Sequence, residues 1–249
     1  MSTARSCDES SVRGRRLNNK KEPLYCEGRV KPTYRGTLHA FCALILTPIG
    51  CALLIMSGRK TTVDIAAALV FSLSVLACFS VSGLYHCVSW SEETDIFLQK
   101  LDHACISLVA AGSHLHLCLY ALDKTEGIAF MSSTFAAAFL SFPWIFYGGS
   151  SMVAHVVTAA TSLPFFPSLY ANMGPRLFGF ALSVWLLYAA GMIIFKLHRP
   201  DPWPTVFGYH EVFHVFVVLA VTITFYVHCK LVNEYTTWAT LDANVCVHD

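Results

Sequence analysis

The sequence predicts an all-α integral membrane protein, a bundle of seven transmembrane helices, and three observations carry that prediction. Apolar residues fill 55% of the 249 positions and charged residues only 13%, against about 25% charged in a typical globular chain. Mean hydropathy is +0.54. Seven apolar runs, roughly 38–57, 64–87, 103–122, 127–147, 151–171, 177–197 and 209–232, each approach the ~20 residues that carry a helix across the hydrocarbon core. The lipid bilayer is therefore the principal partner. A formal net charge of +1 gives no global field of the kind that attracts nucleic acid.

Residues 1–36 precede the first run and hold nine of the seventeen Lys and Arg, interleaved with Ser, Asn, Glu and Pro23. This composition predicts a basic, disordered cytosolic tail. The first apolar core lies too far from Met1 for a cleaved signal peptide, and Asp8, Glu9, Glu22 and Glu27 argue against a transit peptide. Residues 37–232 then form the membrane domain, and 233–249 a short exterior tail. Pro48, Pro143, Pro164 and Pro167 fall inside runs, which bundled membrane helices tolerate by local rearrangement. Leu163-Pro164-Phe165-Phe166-Pro167 makes the fifth run the one most prone to end early. The ten cysteines form no CxxC pair, so neither a zinc ribbon nor a thioredoxin-like motif is indicated. Most lie within apolar runs, where a free cysteine acts as a small hydrophobe.

Seven crossings put the two tails on opposite sides. With the N-terminus in the cytosol, twelve Lys and Arg fall inside and five outside. Positive residues favour the cytosolic side, so the bias predicts N-in and C-out.

A few ionisable or polar positions stand out against these runs. His210 and His214, at the head of the last run, lie one helical turn apart on the same face, where two neutral imidazoles can share a metal ion. His86 closes the second run, Ser82 lies one turn deeper on its face, and Asp102 opens the third. The end of span two and the starts of spans three and seven share one leaflet whichever way the chain inserts. Three histidines would leave the fourth tetrahedral position of zinc open to water, the pattern of a catalytic site. Such water has its pKa lowered towards 7. Asp102 could then take its proton, and Ser82 could orient the water or polarise a substrate carbonyl. Structural alternatives stand beside these roles. Ser82 can bond back to the Cys78 carbonyl, and Asp102 can cap the start of span three. His39 and His155 lie near the same leaflet.

His210-Glu211-Val212-Phe213-His214 also matches HExxH, in which the glutamate of a metalloprotease is general base. Glu234, the nearest later carboxylate, lies about 30 Å beyond His214 at ~1.5 Å per helical residue. A third ligand must come from upstream, and His86 is the best placed.

Together, Ser82-Gly83-Leu84-Tyr85-His86, Lys100-Leu101-Asp102-His103 and the string from Arg199-Pro200-Asp201-Pro202-Trp203-Pro204 through Phe207-Gly208-Tyr209-His210-Glu211-Val212-Phe213-His214 resemble the hemolysin III and progestin/adipoQ receptor superfamily. Arg35-Gly36 and His39 fit the same pattern. The likeness spans about 35–232 and is greatest to the hemolysin III branch. It implies seven spans and a zinc ion held by His86, His210 and His214, with Ser82 and Asp102 alongside. Adiponectin-receptor-like relatives are associated with ceramidase-type lipid amide hydrolysis, so the resemblance implies a lipid such as a ceramide as substrate. Relatives carry glutamine as well as glutamate between the paired histidines, which counts against Glu211 as the base. Where hemolysin III proteins commonly read Gly-Ser or Gly-Thr followed by Tyr-Thr-Pro in span three, this chain has Gly112-Ser113-His114-Leu115-His116. The expected function is zinc-dependent hydrolysis of a lipid amide or ester; the alternatives are a receptor or cytolysin-like protein with structural zinc, and a membrane metalloprotease.

Overall fold

The fold is that of a computed structural model describing residues 32–58 and 61–239. Most of the N-terminal tail, Arg59, Lys60 and the last ten residues lie outside the described residues, and with them the expectations placed there. Helix α1 runs Thr37–Ser57 and contains a π-helical turn at Cys42–Leu46. It is followed by α2 (Thr62–Cys87), α3 (Glu92–Tyr120), α4 (Lys124–Phe146), α5 (Ser151–Ala160), a 3-10 turn at Leu163–Phe165, α6 (Phe166–Leu197) and α7 (Tyr209–Glu234). Among the described residues there is no strand, only an isolated bridge between Trp203 and Phe207.

Among the described residues, five stretches are long and apolar enough to cross a membrane: α1, α2, α4, α7 and the 47-residue stretch Ser151–Leu197. The architecture is all-α and membrane-spanning, as predicted, but three of the seven expected runs look different. The third is longer than its apolar core, starting at Glu92 and carrying Glu93, Asp95, Lys100 and Asp102. Such a helix survives in a membrane when it is enclosed by others. Residues Ala111 to Tyr120 are all buried, and α3 packs against α2, α4, α5 and α7. The fifth and sixth runs merge into one helical stretch, broken by the 3-10 turn and again at Gly174, whose φ of 71° suits glycine. On one side of that break, Ser168 donates to Glu126 and Asn172 to the Ala121 carbonyl. Beyond it, Phe195 meets His210 edge-on.

Side-chain caps set the helix starts. Thr61 and Asp64 form a reciprocal capping box on α2, Ser91 accepts from Thr94 N–H, and Asp123 accepts from Glu126 N–H. Each satisfies amides that lipid cannot. At the π-turn, the Thr47 hydroxyl donates to the Cys42 carbonyl over 3.0 Å.

Lipid tails are as apolar as leucine, so close packing rather than apolar transfer holds such helices together. A Cβ on Gly83 would stand 3.0 Å from the Ala40 Cα, and one on Gly112 would stand 2.4 Å from the Ser74 hydroxyl. These contacts bring α1 and α3 against α2. Phe71, Phe79, Phe130, Val221 and Leu231 fill the centre, while Leu44, Met56, Leu140, Leu186 and Ile193 face outward. That outward apolar belt fits a lipid surround.

Candidate metal centre

The end of α2, the N-terminal half of α3 and the head of α7 meet at one end of the bundle. His86, His210 and His214 bring one ligand atom each within 4.8 Å of one another. Their ring centroids lie 4.7 Å (His86 to His210), 5.4 Å (His86 to His214) and 4.7 Å (His210 to His214) apart. A tetrahedral zinc with Zn–N bonds of ~2.0–2.1 Å needs nitrogens about 3.4 Å apart. Three imidazole donors are the chemistry that suits zinc.

Asp102 places Oδ2 3.7 Å from His86 Nε2 and is buried. Its reading as the cap of span three is corrected, because α3 begins a full ten residues earlier with Ser91 as its cap. Asp102 thus sits inside a helix, facing the histidines, where a carboxylate has no local backbone task. Ser82 hydrogen-bonds His39, with 2.9 Å between Oγ and Nδ1, rather than pairing with the Cys78 carbonyl.

His39 has a larger place than the sequence suggests. Its ring stacks on His214 at 3.8 Å and leans on Phe79 at 4.7 Å. It therefore orients one expected ligand while holding the hydroxyl of Ser82. His155 is held by the Ser107 hydroxyl at 3.0 Å, farther from the three histidines.

Arg35 is the other residue that local pattern did not single out for a role. Its Nε donates to Glu211 Oε1, and its Nη1 lies 2.9 Å from His210 Nδ1. Gly36 makes this reach possible. Its φ is +82°, and a Cβ there would lie 2.5 Å from the Cβ of His86. Thr33 and Tyr34 donate their amides to the carbonyls of Thr205 and Val206, tying the start of α1 to the loop before α7. Asp201 in that loop accepts from Tyr209 N–H at 3.0 Å.

Glu211 has both carboxylate oxygens engaged: Oε1 by Arg35 and Oε2 by the Gly208 amide at 2.7 Å. It closes the first turn of α7 and pairs with a partly buried guanidinium, so the HExxH base of the protease reading is already committed elsewhere. Glu211→Gln should keep the metal, since the amide oxygen can still accept from Gly208. Losing the negative charge that faces Arg35 should lower the thermal stability. Elemental analysis and thermal unfolding in detergent check both outcomes; unchanged stability with lost metal would contradict this role.

The three histidines, Asp102, Ser82 and Arg35 line a cavity of about 730 Å³. A second cavity of about 640 Å³, lined mostly by apolar residues, lies between α3, α5, α6 and α7. Ile106, Met152, His155, Met192, Lys196 and Phe213 line both.

A helical membrane bundle with a buried three-histidine group at one end, joined by a carboxylate and a hydroxyl, defines the class of protein. The chain matches the haemolysin-III related family model over residues 28–225 and belongs to that family.

Proposed function

We propose that this protein hydrolyses a lipid amide or ester, ceramide-like in class, at a zinc site made by His86, His210 and His214. One observation carries the reading: a buried carboxylate, Asp102, faces three convergent imidazoles at the wall of a cavity that adjoins a second, apolar one. Zinc, when bound, supplies a Lewis acid and acidifies water. The chain does the rest. Asp102 accepts the proton of the attacking water and returns it to the leaving amine or alcohol. The Ser82 hydroxyl, held between His39 and Asp102, can turn its hydrogen towards the oxygen on which charge develops. The apolar cavity excludes water and takes an acyl chain, the arrangement expected of a lipid site.

The same proposal includes seven crossings with the N-terminus cytosolic. The contacts of Ser168 with the first turn of α4, of Asn172 with the α3–α4 connection and of Phe195 with His210 fit a stretch that crosses twice. The basic residues favour that orientation. Protease accessibility of terminal tags checks it: protection of both on one side would remove a crossing.

The testing experiment is a panel of ceramides, lysolipid amides and esters incubated with purified protein before and after chelation. Release of fatty acid should depend on zinc. Flat traces throughout would instead favour a receptor or cytolysin-like protein in which zinc clamps α2 to α7.

A further inference from the structure

At the far end of the bundle, a second group of polar side chains is buried among α2, α3 and α7 and takes no part in the metal centre. His116 on α3 is fully buried, and neither of its ring nitrogens has a hydrogen-bond partner. His228 on α7 donates from Nε2 to the Ser113 carbonyl at 3.0 Å, leaving a bare Nδ1. The two rings stack with centroids 4.0 Å apart and planes 22° from parallel. Tyr120, one turn further along α3, stacks on His116 at 5.9 Å, and its hydroxyl donates to Asp64. Asp64 is buried in the first turn of α2, the end opposite His86. At ~1.5 Å per residue those two ends lie about 33 Å apart, the thickness of a hydrocarbon core.

A structural role explains only part of this. The Ser113 bond pins α7 to α3, but it does nothing for His116. A buried polar atom with no partner costs about 1–3 kcal/mol, and such atoms are commonly served by internal water. Ionisable groups this deep in a membrane protein mark ion and proton pathways by default. An imidazole suits that task because it can gain a proton at one nitrogen and release one from the other. Nearby on α3, His114 is held instead by the Thr134 hydroxyl at 2.9 Å.

We propose that Asp64, Tyr120, His116 and His228 form a water-assisted proton relay from the end of the bundle opposite the metal centre into the internal cavities. Asp64 takes a proton from outside and passes it to the Tyr120 oxygen, while the tyrosine's own proton moves through water to one nitrogen of His116. His116 releases the proton on its other nitrogen through water to His228 Nδ1. His228 hands it to water in the cavity it lines with Ser113, its Nε2 proton staying on the Ser113 carbonyl. No charge remains behind, and the Tyr120 hydroxyl and the His116 ring regain their first state by rotation. That cavity shares His155 and Phe213 with the one at the metal centre, which completes the route. The relay does not depend on lipid hydrolysis.

The test uses the full chain in sealed vesicles holding a trapped pH-sensitive dye, with a potassium diffusion potential set by valinomycin. Proton entry should exceed that of empty vesicles, and His116→Gln or Asp64→Asn should return it to the empty-vesicle rate while the protein elutes as wild type from a sizing column. If His116→Gln does not fold, Tyr120→Phe and His228→Gln are read by the same criterion. Wild-type entry no faster than empty vesicles would overturn the relay. So would undiminished entry in a folded His116 variant, or equal passage of sodium ions, which would mean an open aqueous pore.

Discussion

His214→Ala should strip the purified protein of nearly all its zinc, which in the wild type should amount to about one ion per chain, the stoichiometry of a single three-histidine site. His214 is buried and shares the ligand group with His86 and His210. Two remaining imidazoles make a poor tetrahedral site, so affinity should fall far beyond the 10- to 100-fold typical of losing a supporting contact. His39→Phe supplies that lesser comparison. It keeps a ring against His214 but loses the bond to Ser82, so zinc should be retained in the undepleted protein and lost at lower chelator concentration. Elemental analysis with chelator titration reads both. Wild-type zinc in His214→Ala would remove the ligand assignment.

Much of the centre was legible because it rests on short-range rules. His210 and His214 share a face through helical periodicity, and the parity of the apolar runs brings His86 and Asp102 to their level. Arg35 and His39 were not assigned a role because nothing in a helical pattern tells which face of α1 meets α7; only packing through the Gly36 turn shows it. The apolar run at 103–122 begins well after the start of α3 because Glu92, Glu93 and Asp95 carry no hydropathy signal, although acidic residues are favoured in a first turn. That difference is what made Asp102 look like a cap. The join between the fifth and sixth runs depends on the backbone at Gly174, which apolar run length does not report. Glu211 shows the opposite hazard: a motif match offered a catalytic base, while the tertiary contacts of Arg35 and Gly208 assign it to structure.

The largest kinetic effect is expected from Asp102→Asn. The change keeps shape and hydrogen bonding at a buried position whose carboxylate stands 3.7 Å from His86 Nε2, but it removes the ability to take a proton. Three histidines suffice for zinc, so metal content should stay near wild type. Turnover of a ceramide-like amide should fall by about 10²- to 10⁴-fold, the usual contribution of a general base. The KM should move little, because the carboxylate acts on water rather than on the acyl chain. Ser82→Ala should cost less, since it removes one donor to the developing oxyanion and leaves the base in place. A zinc clamp gives a different result. No zinc-dependent hydrolysis would appear in the wild type, and Asp102→Asn would alter only thermal stability. Because Asp102 lies well inside α3 and not at its start, a loss of activity with retained zinc and unchanged unfolding cannot be traced to a lost helix cap, and it would assign the carboxylate to proton transfer.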